Sequence, residues 1–121
     1  LYGHQKVMIT ANCIVGNYMN GCASRKMSRN VLTDDRGNRF YVRNDCAHCY
    51  NIIYNGVPTN MIDRLAETGI SDKDCYIEFT IEDTNNVKDI MDSLELALSG
   101  GKAVTMSVDQ YTRGHYYKGI D

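Results

Sequence analysis

Lys6 to Thr10 is a short β-type run with polar ends and an apolar middle, Val31-Leu32-Thr33 and Arg39-Phe40-Tyr41-Val42 are a pair of apolar-rich runs, and Cys75-Tyr76-Ile77-Glu78-Phe79-Thr80-Ile81 alternates apolar with polar from Ile77 on, so all of these are expected to be strands. Between the second pair stands Asp34-Asp35-Arg36-Gly37-Asn38, whose Gly and Asn supply the φ > 0 positions of a hairpin turn. Helical spacing governs two other stretches. Pro58 opens one, since its missing N–H would be unpaired in a first turn, and Met61, Ile62, Leu65 and Ala66 fall on one face before Gly69 ends it. The other is capped by Asp83 or Thr84, carries Val87, Ile90, Met91, Leu94 and Leu98 at three- and four-residue intervals, and stops at Gly100-Gly101. That stripe reads as core, not as a cofactor box.

Asn12 to Gly21 is Gly- and Asn-rich and reads as a loop, not a regular helix. Lys102 to Val108 suggests a last strand, and Tyr111 to Gly119 is polar-aromatic with no period. The order strand, long loop, helix, strand, helix, strand predicts an α/β fold. No internal repeat or low-complexity segment interrupts it, so residues 1–121 are expected to form a single segment with no internal domain boundary.

The cysteines change the picture most. Four of the five, Cys13, Cys22, Cys46 and Cys49, lie in one 37-residue window that closes on Cys46-Ala47-His48-Cys49. A Cys-x-x-Cys pair projects two thiolates from one tight turn, and two further cysteines complete a four-thiolate set. Thiolates select zinc or iron–sulfur and exclude magnesium and calcium. The intervals of eight, 23 and two residues contain one close pair only, which suits a cluster somewhat better than the paired knuckles of a zinc site. His48 is open to three readings: a substitute ligand, a hydrogen-bond donor to a sulfur, or a solvated loop residue. Cys75 stands apart in an expected strand and reads as a small buried hydrophobe. An odd cysteine count with no secretory signal argues against a disulfide framework.

Composition bounds the rest. The chain has 121 residues, 43% hydrophobic and 23% charged, with a net charge of −2, as an ordinary globular chain does. No apolar run approaches the roughly 20 residues of a membrane-spanning helix, and the expected location is cytoplasmic, without membrane contact. Charge is uneven: Arg25, Lys26, Arg29, Arg36, Arg39 and Arg43 make the window 25–43 basic, which suits phosphate contact or simply a solvated face. Hydrolase signatures are missing: there is no Gly-x-Ser-x-Gly and no His-Glu-x-x-His. A peptidase would need a dyad such as Cys49 with His4 or His115. Glu78 and Glu82 fall near the carboxyl end of an expected strand, where a barrel enzyme places catalytic groups, although Glu82 equally fits the first turn of the next helix. Arg113 and His115 could meet an anionic substrate or RNA, or pack on their own domain.

Read together, Leu1-Tyr2-Gly3 leading to Val7-Met8, Asn12-Cys13, Gly21-Cys22, the Leu32 to Val42 hairpin, Cys46-x-x-Cys49-Tyr50-Asn51, Ile53-Tyr54-Asn55 and Tyr111-Thr112-Arg113-Gly114 resemble peptidase family U32, the collagenase-like proteins. The resemblance covers nearly the whole chain. It implies the last part of a TIM-barrel-like (β/α) catalytic domain, the final strand–helix units plus a cysteine loop and hairpin. The chain would then be an excised segment, beginning at Leu1 with the N-terminal barrel portion missing. Its own turnover would be small, and its opened strand edges would favour pairing as a homodimer. The family is labelled as proteases, while its better-understood branches resemble hydroxylation factors for pyrimidines of transfer or ribosomal RNA or for the ubiquinone precursor ring. In several of these, four cysteines hold an iron–sulfur cluster. Carried over, the ligands of a four-iron four-sulfur cluster fall on Cys13, Cys22, Cys46 and Cys49. The intervals differ from those of the ubiquinone branch. A colourless structural zinc module is the alternative from a different class.

Overall fold

Asp34 organises the hairpin around it: its Oδ1 accepts the backbone N–H of Arg36 at 2.9 Å and of Asn38 at 2.7 Å, and its Oδ2 accepts the Asn38 amide at 2.8 Å. Gly37 supplies the left-handed backbone, φ 81°, that the turn requires. On either side run β3 (Ser28–Thr33) and β4 (Arg39–Asp45), so the expected hairpin is present in the computed structural model, which describes residues 1–18, 28–69, 74–102 and 111–117.

Two compact units divide the chain, Gln5–Gly56 and Leu1–His4 with Val57–Asp121. In Gln5–Gly56, β2 (Lys6–Thr10) and β5 (Tyr50–Asn55) join the hairpin in one four-stranded antiparallel sheet of order β2-β5-β4-β3. Buried Val42, Ile52 and Tyr54 hold the central strands, and Val15 of the short helix α1 (Ile14–Tyr18) is buried as well. Gly56 runs so close to Arg39 that a Cβ there would overlap the Arg39 carbonyl.

In the other unit, β1 (Tyr2–Gly3) pairs antiparallel with β6 (Thr59–Asn60). A 3-10 turn (Ile62–Arg64) runs into α2 (Leu65–Thr68), and Gly69 ends it in the left-handed region at φ 64°. The helix α3 (Thr84–Leu98) starts as its sequence predicts: Asp83 is the N-cap, its side chain accepting the Asn86 N–H at 2.8 Å. Tyr2, Ile62 and Ile90 form the core cluster, with Leu1, Ile77, Leu94 and Ala97 packed against it.

The (β/α) barrel expectation is corrected by this architecture. Among the described residues antiparallel sheets dominate, six strands in two sheets, and no strand–helix repeat of the TIM-barrel kind occurs. Residues 75–81 account for much of the difference. Of these only Ile77 bridges, in parallel to Tyr2, because the backbone N–H groups of Thr80 and Ile81 donate to the Glu82 carboxylate at 2.6 and 3.0 Å in place of a strand ladder. Tyr50–Asn55, which carried no strand expectation, pairs on both sides, with β2 and with β4. Pro58 opens β6 and not a helix, and part of the expected loop at 12–21 is the helix α1. The expected strand from Lys102 to Val108 lies outside the described residues beyond Lys102.

Candidate metal centre

Register in the four-stranded sheet decides where the cysteines emerge. Thr10 at the end of β2 is opposite Asn51, and Asp45 at the end of β4 is opposite Tyr50. Cys13, three residues beyond Thr10, and the Cys46–Cys49 turn, which joins β4 to β5, therefore leave the sheet at the same end.

Locally Cys13 is held by backbone chemistry. Asn12 N–H donates to Thr10 Oγ1 at 3.1 Å, then Cys13 starts α1: its carbonyl accepts Asn17 N–H at 2.9 Å and its sulfur accepts Gly16 N–H at 3.2 Å. Gly16 passes tightly by: a Cβ there would stand 3.4 Å from both Cβ and Sγ of Cys13. In the turn, Cys49 takes a left-handed backbone, φ 55°, uncommon for a residue with a Cβ. Cys13 and Cys46 are half-buried and Cys49 is exposed. Cys22, the remaining expected ligand, lies outside the described residues. Among the described residues no three His, Cys, Asp or Glu side chains are already gathered as an ion would need them.

A ladder of side-chain amides braces this end of the sheet. Asn30 donates to Asn44 Oδ1 at 2.7 Å, Asn44 donates to Asn51 Oδ1, and Asn51 donates to the carbonyl of Asn12 at 2.7 Å. Asn44 and Asn51 are 1% and 2% exposed, so these amides depend on each other rather than on water. The ladder runs from β3 through β4 and β5 to the residue before Cys13. Sequence reasoning missed it, although Asn44 interrupts the apolar face of β4 after Phe40 and Val42.

Asp45 and His48 form a second polar feature. His48 Nδ1 lies 3.0 Å from Asp45 Oδ1, which also accepts the His48 backbone N–H at 3.2 Å. The hydrogen bond from His48 is the main cause holding the Asp45 carboxyl below its ordinary range.

The other candidates fall elsewhere. Cys75 belongs to the unit of Leu1–His4 with Val57–Asp121. His4 is buried there, its Nε2 3.4 Å from Glu82 Oε1, and the Tyr2 hydroxyl donates to the same oxygen at 3.1 Å. Burial would raise the pKa of Glu82, but the His4 contact and the backbone N–H bonds win and bring it down to about 2. Tyr2 is pushed well above the usual tyrosine range by burial and by the Glu82 charge. Glu82 thus acts as a buried acceptor just before α3. Glu78 donates its backbone N–H to the Tyr2 carbonyl at 3.0 Å. Arg113 is engaged by its own unit: its guanidinium grips Asp63 through both terminal nitrogens and donates to the Asn60 carbonyl at 2.8 Å. His115 follows in the turn 114–117.

No protein-family model, curated protein or solved structure matches the chain. Within the basic window, Arg29 and Arg43 are directly opposite each other in the β3–β4 ladder and Arg39 is opposite Thr33. Arg29, Arg36, Arg39 and Arg43 are all exposed, while Arg25 and Lys26 lie outside the described residues. Among the described residues no helix is long and apolar enough to cross a membrane.

Proposed function

We propose that this chain is the cysteine-bearing part of a U32-type protein in which Cys13, Cys22, Cys46 and Cys49 hold an iron–sulfur cluster, and that the parent is a cytoplasmic hydroxylation factor acting on RNA pyrimidines or on a ubiquinone precursor. One observation carries the reading. Cys13 and the Cys46–Cys49 turn leave one sheet at one end, and the Asn51 to Asn12 hydrogen bond ties their two segments together. The chemistry of the donors fits, since the Cys13 sulfur already accepts a backbone N–H and the exposed Cys49 thiol lies in a turn. When bound, a cluster supplies electron-transfer chemistry that thiols alone lack. The family resemblance rests on the order of sequence motifs and not on a barrel.

The exposed arginines on β3 and β4 favour RNA over the small aromatic ring as the substrate. Two like charges opposite each other on a sheet repel, a cost that a bound phosphate chain would relieve.

Anaerobic purification followed by iron, sulfide and zinc analysis tests the reading, with a parallel sample carrying Cys46→Ala and Cys49→Ala. Near-stoichiometric iron and sulfide, lost in the variant, is the expected result. Iron content unchanged by the substitutions, or none in either sample, overturns it, and zinc alone replaces the cluster by a structural zinc site.

A further inference from the structure

The Cys46–Cys49 turn holds a third donor whose chemistry is already prepared. Asp45 Oδ1 stands 3.0 Å from His48 Nδ1, and the Asp45 side chain is 13% exposed while that of His48 is 73% exposed. An ionised carboxylate only accepts, so the ring proton at this contact belongs to Nδ1. In the neutral imidazole the lone pair is then left on Nε2. A carboxylate fixing one ring nitrogen while the other presents a lone pair is how metal-ligating histidines are oriented. The same Asp45 oxygen accepts the His48 backbone N–H at 3.2 Å, so ring and main chain are anchored at one point. The Tyr50 hydroxyl is hydrogen-bonded to Asp45 as well.

We infer that His48 is a metal ligand through Nε2 and that Asp45 is its positioning residue, so the turn offers two thiolates and one imidazole. The inference rests on the proposed metal centre at the cysteines and adds a nitrogen donor to it. The metal it takes is one that accepts sulfur and imidazole together, zinc as a single ion or an iron of a cluster that carries histidine. Rotation about the side-chain bonds of Cys46, His48 and Cys49 is needed to bring the three donors onto one centre.

Cobalt(II) added to the reduced, metal-free protein under anaerobic conditions separates this inference from the reading beneath it, because its optical bands report sulfur and nitrogen ligands differently. The wild type is expected to show a thiolate-to-cobalt charge-transfer band together with the visible bands of a tetrahedral site. His48→Gln is expected to move the visible bands and weaken binding, and His48→Cys to restore binding with an all-thiolate spectrum. Asp45→Asn is expected to weaken binding by about 10- to 100-fold with the band positions kept. If His48→Gln leaves bands and affinity unchanged while Cys46→Ala abolishes them, the cysteines hold the metal without His48 and this inference falls alone. A wild type with no thiolate-to-cobalt band overturns the inference and the metal centre together. An Asp45→Asn protein that binds as the wild type does removes the positioning role. His48 is exposed, so an unchanged circular-dichroism melt is expected for its variants.

Discussion

The side-chain amide of Asn51 donates to the carbonyl oxygen of Asn12 at 2.7 Å, across 39 positions of sequence. Asn12 precedes Cys13, and Asn51 lies two positions beyond Cys49, so this bond extends the β2–β5 pairing to tie two cysteine-bearing segments together. Asn51 also accepts from Asn44, which accepts in turn from Asn30. Removing the central amide would leave buried polar partners behind. Asn51→Ala is therefore expected to cost about 2–3 kcal/mol, the desolvation penalty of orphaned buried groups. Urea denaturation would measure it. Metal retention by the folded variant should fall too, whereas an exposed control such as Asn38→Ala should leave retention unchanged.

Arg29 and Arg43 present the opposite situation, two like charges held together by register. Arg43→Glu puts unlike charges there and is expected to raise stability by about 0.5–1 kcal/mol. The same change should lower affinity for single-stranded RNA and flatten its dependence on salt by about one counterion. Thermal melting and a salt series of RNA binding, run on the same protein, check both signs. A variant that is more stable and binds RNA as before would remove the phosphate role of this face.

Gly56 marks a third constraint. Any Cβ there would meet the carbonyl of Arg39, which is main chain and cannot rotate away. Gly56→Ala is expected to destabilise by about 3 kcal/mol or more, in the range of severe overpacking. A chemical denaturation midpoint equal to that of the wild type would refute it.

Local chemistry explains which parts of the fold were legible. The 34–38 turn was readable because Asp, Gly and Asn there each perform a job that needs no distant partner. The start of α3 was readable for the same reason, since Asp83 caps Asn86 three residues on. Cys75 to Ile81 misled because alternation tells which side a residue faces, not who takes its backbone hydrogen bonds. Here Glu82 takes those of Thr80 and Ile81, and Glu82 is held by Tyr2, 80 positions away. The helix α1 was hidden for a related reason: Gly16 and Asn17 are poor helix formers, yet both donate to Cys13. The cysteine window was visible as a motif. Its bracing, the amide ladder and the Asp45–His48 pair, depends on strand register that no local pattern announces.

Glu82 gives the pH prediction. Its side chain is 4% exposed, yet its pKa lies at about 2 because His4 and the backbone N–H groups favour the charged form over the cost of burial. An unfolded chain would titrate it near the ordinary 4.5. A pKa lower in the folded state means that the unfolded state binds the proton first. The stabilisation is thus complete above about pH 4.5 and is lost as pH falls toward 2, and it amounts to about 3 kcal/mol for a shift of this size. Asp34, Asp45, Asp63 and Glu67 are also held low, so the wild type alone would not isolate Glu82. The difference between wild type and Glu82→Gln does, because those four carboxylates are common to both. Stability measured by urea unfolding from pH 6 to pH 2 should fall more steeply in the wild type, by about one proton. Two parallel curves across that window would mean that the carboxylate of Glu82 is not held as described.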